Sequence, residues 1–274
     1  MKNIFFTKMS GAGNDFILID ADDDPEFSLT KKAVQKLCDR HNGIGADGVI
    51  LISSSEQYDF VMNYYNADGS TGSLCGNGAR CAIKFALNTK RIKDKSARFL
   101  SNNSEYSGEI LEDGMIRFNL NPPYDLRKNI QLKAAGKEMK AHFINTGSPQ
   151  VVIRVADIDK IPVETIGKEI RYLAEFAPGG TNVNFVKIEN EEIHIRTYER
   201  GVESETLACG TGSVAAAIIC HQTDGIKMPV TILTRSKDKL FVNFNFRNDE
   251  FSNVSLTGPV SEVYKGQFQI NFVE

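Results

Sequence analysis

Two cysteines occupy the same short motif at two places in the chain. Residues 74–79 read L-C-G-N-G-A and residues 208–213 read A-C-G-T-G-S, so both contain C-G-x-G followed by small and apolar residues. The glycines allow a tight turn into a helix, whose first N–H groups favour negative charge and lower the pKa of a thiol placed there. The motif therefore predicts two candidate thiolates, Cys75 and Cys209, each beside an anion site.

This pair of motifs suits one class of reaction. Inverting the α-carbon of an amino acid requires a base on one face, an acid on the other, and stabilisation of the charge that develops on the carboxylate. A thiolate and a thiol would supply the first need, and two helix N-termini the second. The two thiols would share one proton and titrate as a pair. The alternative is that both cysteines are small buried residues at tight turns, but their repetition favours the functional interpretation.

The two motifs belong to a longer internal repeat. When Cys209 is aligned on Cys75, Tyr198 falls on Tyr64 and Ser204 on Ser70. Such self-similarity indicates a duplication, so we expect two similar halves, each a curved sheet around one central helix. The best boundary lies at residues 121–123, Asn-Pro-Pro, because paired prolines interrupt both helix and sheet.

Hydrophobic patterning predicts the elements that position these motifs. Residues 79–87 and 213–220 are apolar or small on nearly every face and should form buried helices, whereas residues 30–41 predict an amphipathic surface helix. Alternation over residues 240–247 predicts a half-buried strand. Hairpins are expected at residues 110–120 and 185–198.

Composition excludes several classes of protein. The 274 residues carry 32 basic and 35 acidic side chains, for a net charge of −3 with both signs dispersed, so nucleic acid is not an expected partner. No apolar run reaches the length of a membrane span and no signal peptide is recognisable, which predicts a cytoplasmic protein without a membrane partner. Five cysteines with no C-x-x-C spacing argue against a disulfide framework and a zinc site.

The other candidate motifs are weaker. Residues 43–48 read G-I-G-A-D-G, but this G-x-G-x-x-G follows a helix and precedes a strand, the reverse of a dinucleotide-binding context. The four histidines are scattered without metal-ligand spacing. Cys38, Cys81 and Cys220 lie inside helical patterns and are expected in the core.

Several motifs together carry a family resemblance. Residues 13–16 read G-N-D-F, residues 66–70 read N-A-D-G-S ahead of C-G-N-G-A-R-C at 75–81, and Y-E-R-G at 198–201 precedes E-T-L-A-C-G-T-G at 205–212. In this order, and over nearly the whole chain, the sequence resembles the diaminopimelate epimerases. These cofactor-independent isomerases interconvert LL- and meso-diaminopimelate in the synthesis of lysine and of the peptidoglycan precursor.

The resemblance implies an α+β fold of two pseudo-symmetric domains, each a curved, mainly antiparallel sheet wrapped around a central buried helix. The first domain would span residues 1–121 and carry Cys75, and the second would span residues 122–262 and carry Cys209. A C-terminal strand at about 263–274 would return to the first domain. A homodimer is also implied, with no cofactor and no metal.

The resemblance also implies roles for individual residues. Cys75 and Cys209 would be the acid and base, and Arg200 would hold the distal carboxylate of the substrate in a bidentate grip. The remaining positions would bind the reacting carboxylate through backbone groups or surround the substrate: Gly76, Asn77, Gly210 and Thr211 in the first role, and Asn14, Asn66, Asn182 and Glu199 in the second.

Two positions depart from the family pattern. Residues 147–150 read G-S-P-Q where relatives often have G-N-P-H, so Ser148 shortens one side chain and Gln150 replaces a histidine. Gly48 stands where many relatives have glutamine, which argues against substrate binding by a side chain at that position. These changes affect fine tuning more than the type of reaction.

Two other functions compete with epimerisation of diaminopimelate. One is a two-thiol racemase acting on proline or hydroxyproline, although such a monocarboxylate would leave a buried Arg200 without an anion. The other is a thiol redox or binding protein. That function predicts a disulfide, whereas the epimerase requires both thiols free.

Overall fold

The computed structural model describes residues 3–24, 26–72 and 74–269. The chain divides into two compact units: unit 1 combines Met1–Phe118 with Pro259–Glu274, and unit 2 is Asn119–Gly258. The sequence placed the corresponding boundaries after residue 121 and near residue 263. The expected α+β class is confirmed, because each unit contains a mixed, mainly antiparallel sheet and two α-helices.

The elements within the described residues follow one another along the chain. The strands are β1 (Asn3–Gly11), β2 (Asn14–Asp20), β3 (Gly48–Ser53), β4 (Phe60–Asn66), β5 (Ser96–Ser101), β6 (Ser104–Ile110), β7 (Ile116–Asn119), β8 (Tyr124–Ala134), β9 (Lys137–Asn145), β10 (Pro149–Arg154), β11 (Asn182–Glu189), β12 (Glu192–Glu199), β13 (Ser204–Thr206), β14 (Val230–Leu233), β15 (Lys239–Arg247), β16 (Glu250–Gly258) and β17 (Ser261–Gln269). The α-helices are α1 (Lys31–Cys38), α2 (Gly76–Asn88), α3 (Val163–Arg171) and α4 (Gly210–Asp224), and a short 3-10 helix spans Ala174–Phe176.

Unit 1 wraps its sheet around α2. The pairings run β17–β1–β2 antiparallel, β2–β3 parallel, β3–β4 antiparallel, β4–β5 parallel and β5–β6 antiparallel. The helix α2 contacts β1, β2, β3, β4 and β6, whereas α1 packs on the other face of the sheet. Val49 and Leu51 pack with the α1 side, and Ile50 lies against Gly78 of α2. Because β3 is covered on both faces, its sequence is continuously apolar rather than alternating.

Unit 2 repeats this order of pairings. The strands run β8–β9–β10 antiparallel, β10–β11 parallel, β11–β12 antiparallel, β12–β14 parallel and β14–β15 antiparallel. The helix α4 contacts β9, β10, β11, β12, β14 and β15, and α3 packs in a separate core cluster with β11 and β12. In both units a helix connects the two parallel strands of the centre, α1 between β2 and β3 and α3 between β10 and β11. The duplication predicted from the cysteine motifs is therefore present in the strand order.

The two apolar helices are buried as expected, but they begin earlier than predicted. All residues of α4 from Gly210 to Cys220 are buried, and so is most of α2. The sequence placed both glycines of each motif ahead of the helix, whereas they form its first turn. The surface helix α1 is shorter than predicted and stops at Cys38, because the Asp39 carboxylate accepts the N–H groups of His41 and Asn42.

Most predicted strands and turns are confirmed. The strand β15 buries Leu240 and Val242 at alternate positions, and the two hairpins turn at residues 111–115 and 190–191. The helix α3 was not predicted. It is short and begins at a proline N-cap without a side-chain cap, so it lacks the start signal used for α1.

The strand β17 joins unit 1 by pairing antiparallel with β1, with Ile4 opposite Phe268. The predicted C-terminal strand extended to residue 274, and its residues 270–274 lie outside the described part of the chain. Within the described residues, no helix has the length and apolarity needed to cross a membrane.

Candidate active site

The N-terminus of α2 carries Cys75. This residue is the N-cap, with an extended backbone (φ −97°, ψ 116°), and it is half-buried. The first N–H groups of a helix have no acceptors within it, so this end of α2 can bind an anion beside the thiol. Gly78 packs closely against β3, since a Cβ there would lie 3.1 Å from Ile50 Cδ1 and the isoleucine would have to shift slightly.

Behind this end of α2 lie two fully buried polar side chains, Asn77 and Arg80. The guanidinium of Arg80 donates through Nη2 to Asn77 Oδ1 (3.0 Å) and through Nη1 to the carbonyl of Gly76 (3.3 Å). Asn77 Nδ2 in turn donates to Asn14 Oδ1 at 2.6 Å. The first turn of α2 is thereby fixed to β2 through the predicted site residue Asn14.

Four charged residues continue this chain of contacts, and we call them the charged frame: Lys8, Asp15, Arg40 and Asp47. Asn14 Nδ2 donates to Asp47 Oδ2 at 2.8 Å. Arg40 Nη2 lies 2.8 Å from Asp15 and 2.7 Å from Asp47, and Lys8 Nζ lies 2.8 Å from Asp15. Burial favours the protonated acid, but hydrogen bonds and charges from Arg40 and Lys8 outweigh it and lower the pKa of Asp15. Asp15 therefore stays ionised at neutral pH.

Asn66 and Gly48 have local structural roles. The N–H and side-chain Nδ2 of Asn66 donate to the carbonyl and hydroxyl of Ser70, which closes a turn. A Cβ on Gly48 would lie 2.5 Å from the Tyr65 carbonyl and 2.6 Å from the Tyr64 ring. Position 48 therefore allows strand β4 to pack closely. This agrees with the expectation that no side chain at position 48 binds substrate.

The N-terminus of α4 carries Cys209 in the matching place. Cys209 is the N-cap (φ −119°, ψ 115°) and is buried. Its Sγ accepts the N–H of Gly212 at 3.4 Å and lies 3.6 Å from Thr211 Oγ1. A Cβ at Gly212 would come within 2.3 Å of Asn184 Oδ1, so only glycine permits this close approach.

Neutral side chains support this second motif, and we call them the neutral network: Ser148, Gln150, Asn184, Thr197 and Thr211. Gln150 Nε2 donates to Ser148 Oγ (2.8 Å) and Thr211 Oγ1 (3.0 Å), and the two hydroxyls lie 3.1 Å apart. Asn184 Nδ2 donates to Gln150 Oε1 at 2.9 Å, and Thr197 donates to Asn184 Oδ1 at 2.8 Å. The network satisfies buried polar groups without any formal charge.

Asn182, Glu199 and Arg200 form a further group in unit 2. Asn182 Nδ2 donates to Ser148 Oγ (3.3 Å), and its Oδ1 accepts the backbone N–H of Arg200 (2.8 Å). Glu199 accepts a hydrogen bond from Thr206 at 2.9 Å. Burial, reinforced by the positive charge of Arg171, lowers the pKa of Arg200. In the described chain no carboxylate lies within ion-pair distance of the Arg200 guanidinium, so this cation is suited to an external anion.

The remaining cysteines are core residues, as predicted. Cys38, Cys81 and Cys220 are buried free thiols, and burial raises the pKa of each to about 12. They stay protonated at neutral pH and are poor nucleophiles. No group of three or more His, Cys, Asp or Glu side chains that could hold a metal ion occurs within residues 3–24, 26–72 and 74–269.

Arg80, the charged frame and Asn184 support the two motifs but were not predicted from the sequence. A signal for Arg80 was available, since an arginine inside a helix predicted to be buried on every face must itself be buried. Asn184 and the frame give no such signal. Asn14 and Asp47 come together only through the pairing of β2 with β3.

Solved structures that share this fold include proteins named as epimerases and proteins of the phenazine-biosynthesis PhzF family. A PhzF-family protein from Bacillus anthracis has a TM-score of 0.77 at 16% identity, covering 98% of this chain and 100% of that one. A hydroxyproline epimerase from Agrobacterium vitis has a TM-score of 0.70 at 12% identity, covering 97% and 92%. At such low identity the similarity defines the fold class alone.

Sequence comparison identifies the family within that class. The profile described as diaminopimelate epimerase matches residues 6–124 and 142–261. A protein named diaminopimelate epimerase from Chlorobaculum tepidum is 45% identical over 261 residues, which cover 94% of this chain and 98% of that protein. The chain belongs to the diaminopimelate epimerase family.

Proposed function

We propose that this protein is an isomerase that epimerises LL-diaminopimelate to meso-diaminopimelate without a cofactor. The observation that carries the proposal is that Cys75 and Cys209 each cap the buried helix of their unit at equivalent positions of the repeat. The family match over most of the chain supports the choice of substrate.

In the proposed reaction the two thiols exchange roles in each turnover. A thiolate on one face removes the α-proton and becomes a thiol, leaving an enolate-like carbanion. The thiol on the opposite face then gives its proton to the α-carbon and becomes a thiolate. Proton number and charge balance within the cysteine pair, so no oxidant, metal or pyridoxal phosphate is required.

The helix ends supply the charge stabilisation. Backbone groups at Gly76–Asn77 and Gly210–Thr211 would bind the reacting carboxylate, where negative charge grows during proton removal. These positions are the first turns of α2 and α4, as such binding requires. Asn77 and Thr211 are also tied by their side chains to neighbouring strands, which holds both turns rigid.

Specificity would come from residues beyond the reacting carbon. Arg200 would pair with the distal carboxylate, because its half-buried guanidinium is ready for an external anion. Asn182 would position Arg200, because its side-chain Oδ1 accepts the backbone N–H of Arg200. Asn14, Asn66 and Glu199 would complete the surroundings of the substrate, although Asn14 and Asn66 also make structural hydrogen bonds.

Isotope incorporation tests this function. The purified protein is incubated with LL-diaminopimelate in deuterated water, and we expect meso-diaminopimelate with deuterium at the inverted α-carbon. Proline and hydroxyproline under the same conditions are the controls. Incorporation of deuterium into proline or hydroxyproline, with none into diaminopimelate, would assign the protein to the proline-type racemases instead.

The competing functions have less support. The hydroxyproline epimerase shares only the fold, and the half-buried Arg200 suits a second carboxylate that proline lacks. A redox role would require a functional disulfide, whereas all five cysteines are free thiols. We further propose that the enzyme acts as a cytoplasmic homodimer in lysine and cell-wall precursor synthesis, each of its units being a domain that contributes one catalytic cysteine.

A further inference from the structure

Two arginines of unit 2 lie beside the same segment of chain but have different partners. Arg171 is the last residue of α3, and its Nε and Nη2 donate to Glu203 Oε1 at 3.2 and 3.1 Å. Its Nη1 donates to the carbonyl of Gly179 at 3.0 Å. Arg200 adjoins the same glycine, since a Cβ on Gly179 would lie 3.5 Å from Arg200 Nη1. Of the two cations beside Gly179, Arg171 is therefore the one that pairs with Glu203.

The Glu203 carboxylate also lies close to Arg200. Its Oε1 accepts the N–H of Gly201, the residue that follows Arg200, and its Oε2 accepts the hydroxyl of Tyr172, both at 2.9 Å. Burial, followed by the positive charge of Arg171, lowers the pKa of Arg200, and the negative charge of Glu203 opposes this shift. Glu203 and Arg200 thus interact electrostatically, although Glu203 forms its ion pair with Arg171.

The turn that carries Arg200 is held by bonds that do not involve Arg171. The N–H of Glu203 donates to the carbonyl of Glu199 at 2.8 Å, and the hydroxyl of Tyr198 donates to the carbonyl of Glu203 at 2.9 Å. Removal of the Arg171 side chain would therefore leave this turn closed. It would take away the positive charge that is paired with the Glu203 carboxylate.

We propose that Arg171 is a positioning residue that holds the Glu203 carboxylate away from Arg200 and so keeps Arg200 available for the anion of the substrate. This inference rests on the proposed function, because it concerns how Arg200 binds the distal carboxylate. The two arginines have separate tasks: Arg171 neutralises a carboxylate of the protein, and Arg200 binds an external one. Without Arg171, Glu203 would pair with Arg200, and the substrate would have to displace it.

Steady-state kinetics with diaminopimelate test this arrangement. Arg171→Gln removes the cation and should raise KM about three- to tenfold, the effect of having to break a partly buried ion pair before binding. The kcat should change little, because binding weakens equally in the ground state and the transition state. Arg171→Lys retains a cation for Glu203 and should keep KM near the parent value. So should the control Arg154→Gln, which removes an arginine of unit 2 that pairs with Asp224.

A second substitution distinguishes this role from simple support of the fold. The double variant Arg171→Gln/Glu203→Gln has no carboxylate at position 203 to compete for Arg200, so its KM should return close to the parent value. If Arg171 contributed only packing, the double variant would bind substrate as weakly as Arg171→Gln or more weakly. That result would overturn the inference, as would a KM unchanged by Arg171→Gln.

Chemical labelling examines the same pair without substrate. Phenylglyoxal modifies arginine guanidinium groups, and peptide mapping reports the rate of modification at Arg200. We expect this rate to fall several-fold in Arg171→Gln, where Glu203 pairs with Arg200, and to recover in the double variant. The same rate in the parent and both variants would refute the proposal.

The unaltered protein decides the matter if Arg171→Gln does not fold. Phenylglyoxal should then modify Arg200 faster than Arg171, because Arg171 is the arginine paired with Glu203. Equal rates, or faster modification of Arg171, would contradict the inference. Failure of the unaltered protein to epimerise diaminopimelate would count against the proposed function alone, because labelling of Arg200 does not depend on turnover.

Discussion

The N-termini of α2 and α4 have the same motif, the same N-cap cysteine and the same order of surrounding strands, yet they are supported differently. At α2 the first turn is held by Arg80 and the charged frame, whereas at α4 it is held by the neutral network. Duplication has preserved the position of the thiol while the polar groups behind it diverged. The backbone thus specifies where the two groups lie, and side chains specify how they differ.

Burial sharpens this contrast. Cys75 is half-buried, and Cys209 is buried beside Thr211 and the N–H of Gly212. Removal from water disfavours a thiolate, while hydrogen-bond donors favour it. The neutral network behind Cys209 contains no formal charge, so hydrogen-bond donors and the helix end are the groups there that favour its thiolate. We therefore expect variants at the two ends to affect activity differently, except where they remove a thiol.

Removal of either thiol should have the largest effect. Cys75→Ala and Cys209→Ala should each lower kcat/KM by about 10³-fold or more, because one face of the carbon then lacks its acid or base. The kcat/KM of the double variant should be no lower than that of the less active single variant, since the two thiols act as a unit. Deuterium incorporation measures this, with Cys38→Ala as the control. Near-normal turnover by either single variant would rule out the two-base mechanism.

Arg200→Lys should have the next largest effect. Lysine retains the charge but not the planar fork that matches a carboxylate, so KM for diaminopimelate should rise about tenfold, or ~1.4 kcal/mol. Steady-state kinetics measure the change, with the exposed Arg154→Lys as a matched control. If both kinetic constants stayed at parent values, Arg200 would have no part in binding substrate.

The comparison also shows what the sequence can and cannot predict. The repeated C-G-x-G, followed by apolar residues, was sufficient to predict two buried helices and a duplicated sheet, because that pattern is local. The start of each helix was misplaced, since glycine has low helix propensity but here lies in a first turn that approaches a neighbouring strand. The contacts of Asn14 with Asp47 and Asn77 depend on strand pairing and helix packing between distant residues, and no local pattern encodes them.

Thr211→Val tests the neutral network. Valine has the shape of threonine but removes the hydroxyl that Ser148, Gln150 and Cys209 contact, so each of these buried polar groups loses one partner. We expect Thr211→Val to lower the free energy of unfolding by about 1–3 kcal/mol. Thr211→Ser keeps the hydroxyl and should therefore retain most of the stability of the parent. Urea denaturation measures both variants. Equal stability of the valine and serine proteins would show that the hydroxyl contributes nothing.

Gln150→His should have the smallest effect. It would place a group that can carry positive charge in the neutral network at the N-terminus of α4. Gln150 cannot ionise, but a histidine there would bind a proton as the pH falls through its pKa, ordinarily about 6.5 and lower when buried. The added positive charge should favour the Cys209 thiolate below that pH. We expect a new limb near pH 6 to 7 or slightly lower in the profile of kcat/KM, absent in the parent. Superimposable profiles would mean that position 150 is not electrostatically coupled to the thiols.

The pairing of β1 with β17 determines the order in which the molecule can be completed during synthesis. Unit 2 is one continuous stretch of chain, so all its strands are available once residue 258 has been made. The sheet of unit 1 is completed later, because β17, one of the two strands that pair with β1, is made only after the whole of unit 2. Until then β1 presents an unpaired edge, the kind of surface that nascent chains use for wrong pairings. The half of the protein that leaves the ribosome first is the half whose sheet is finished last.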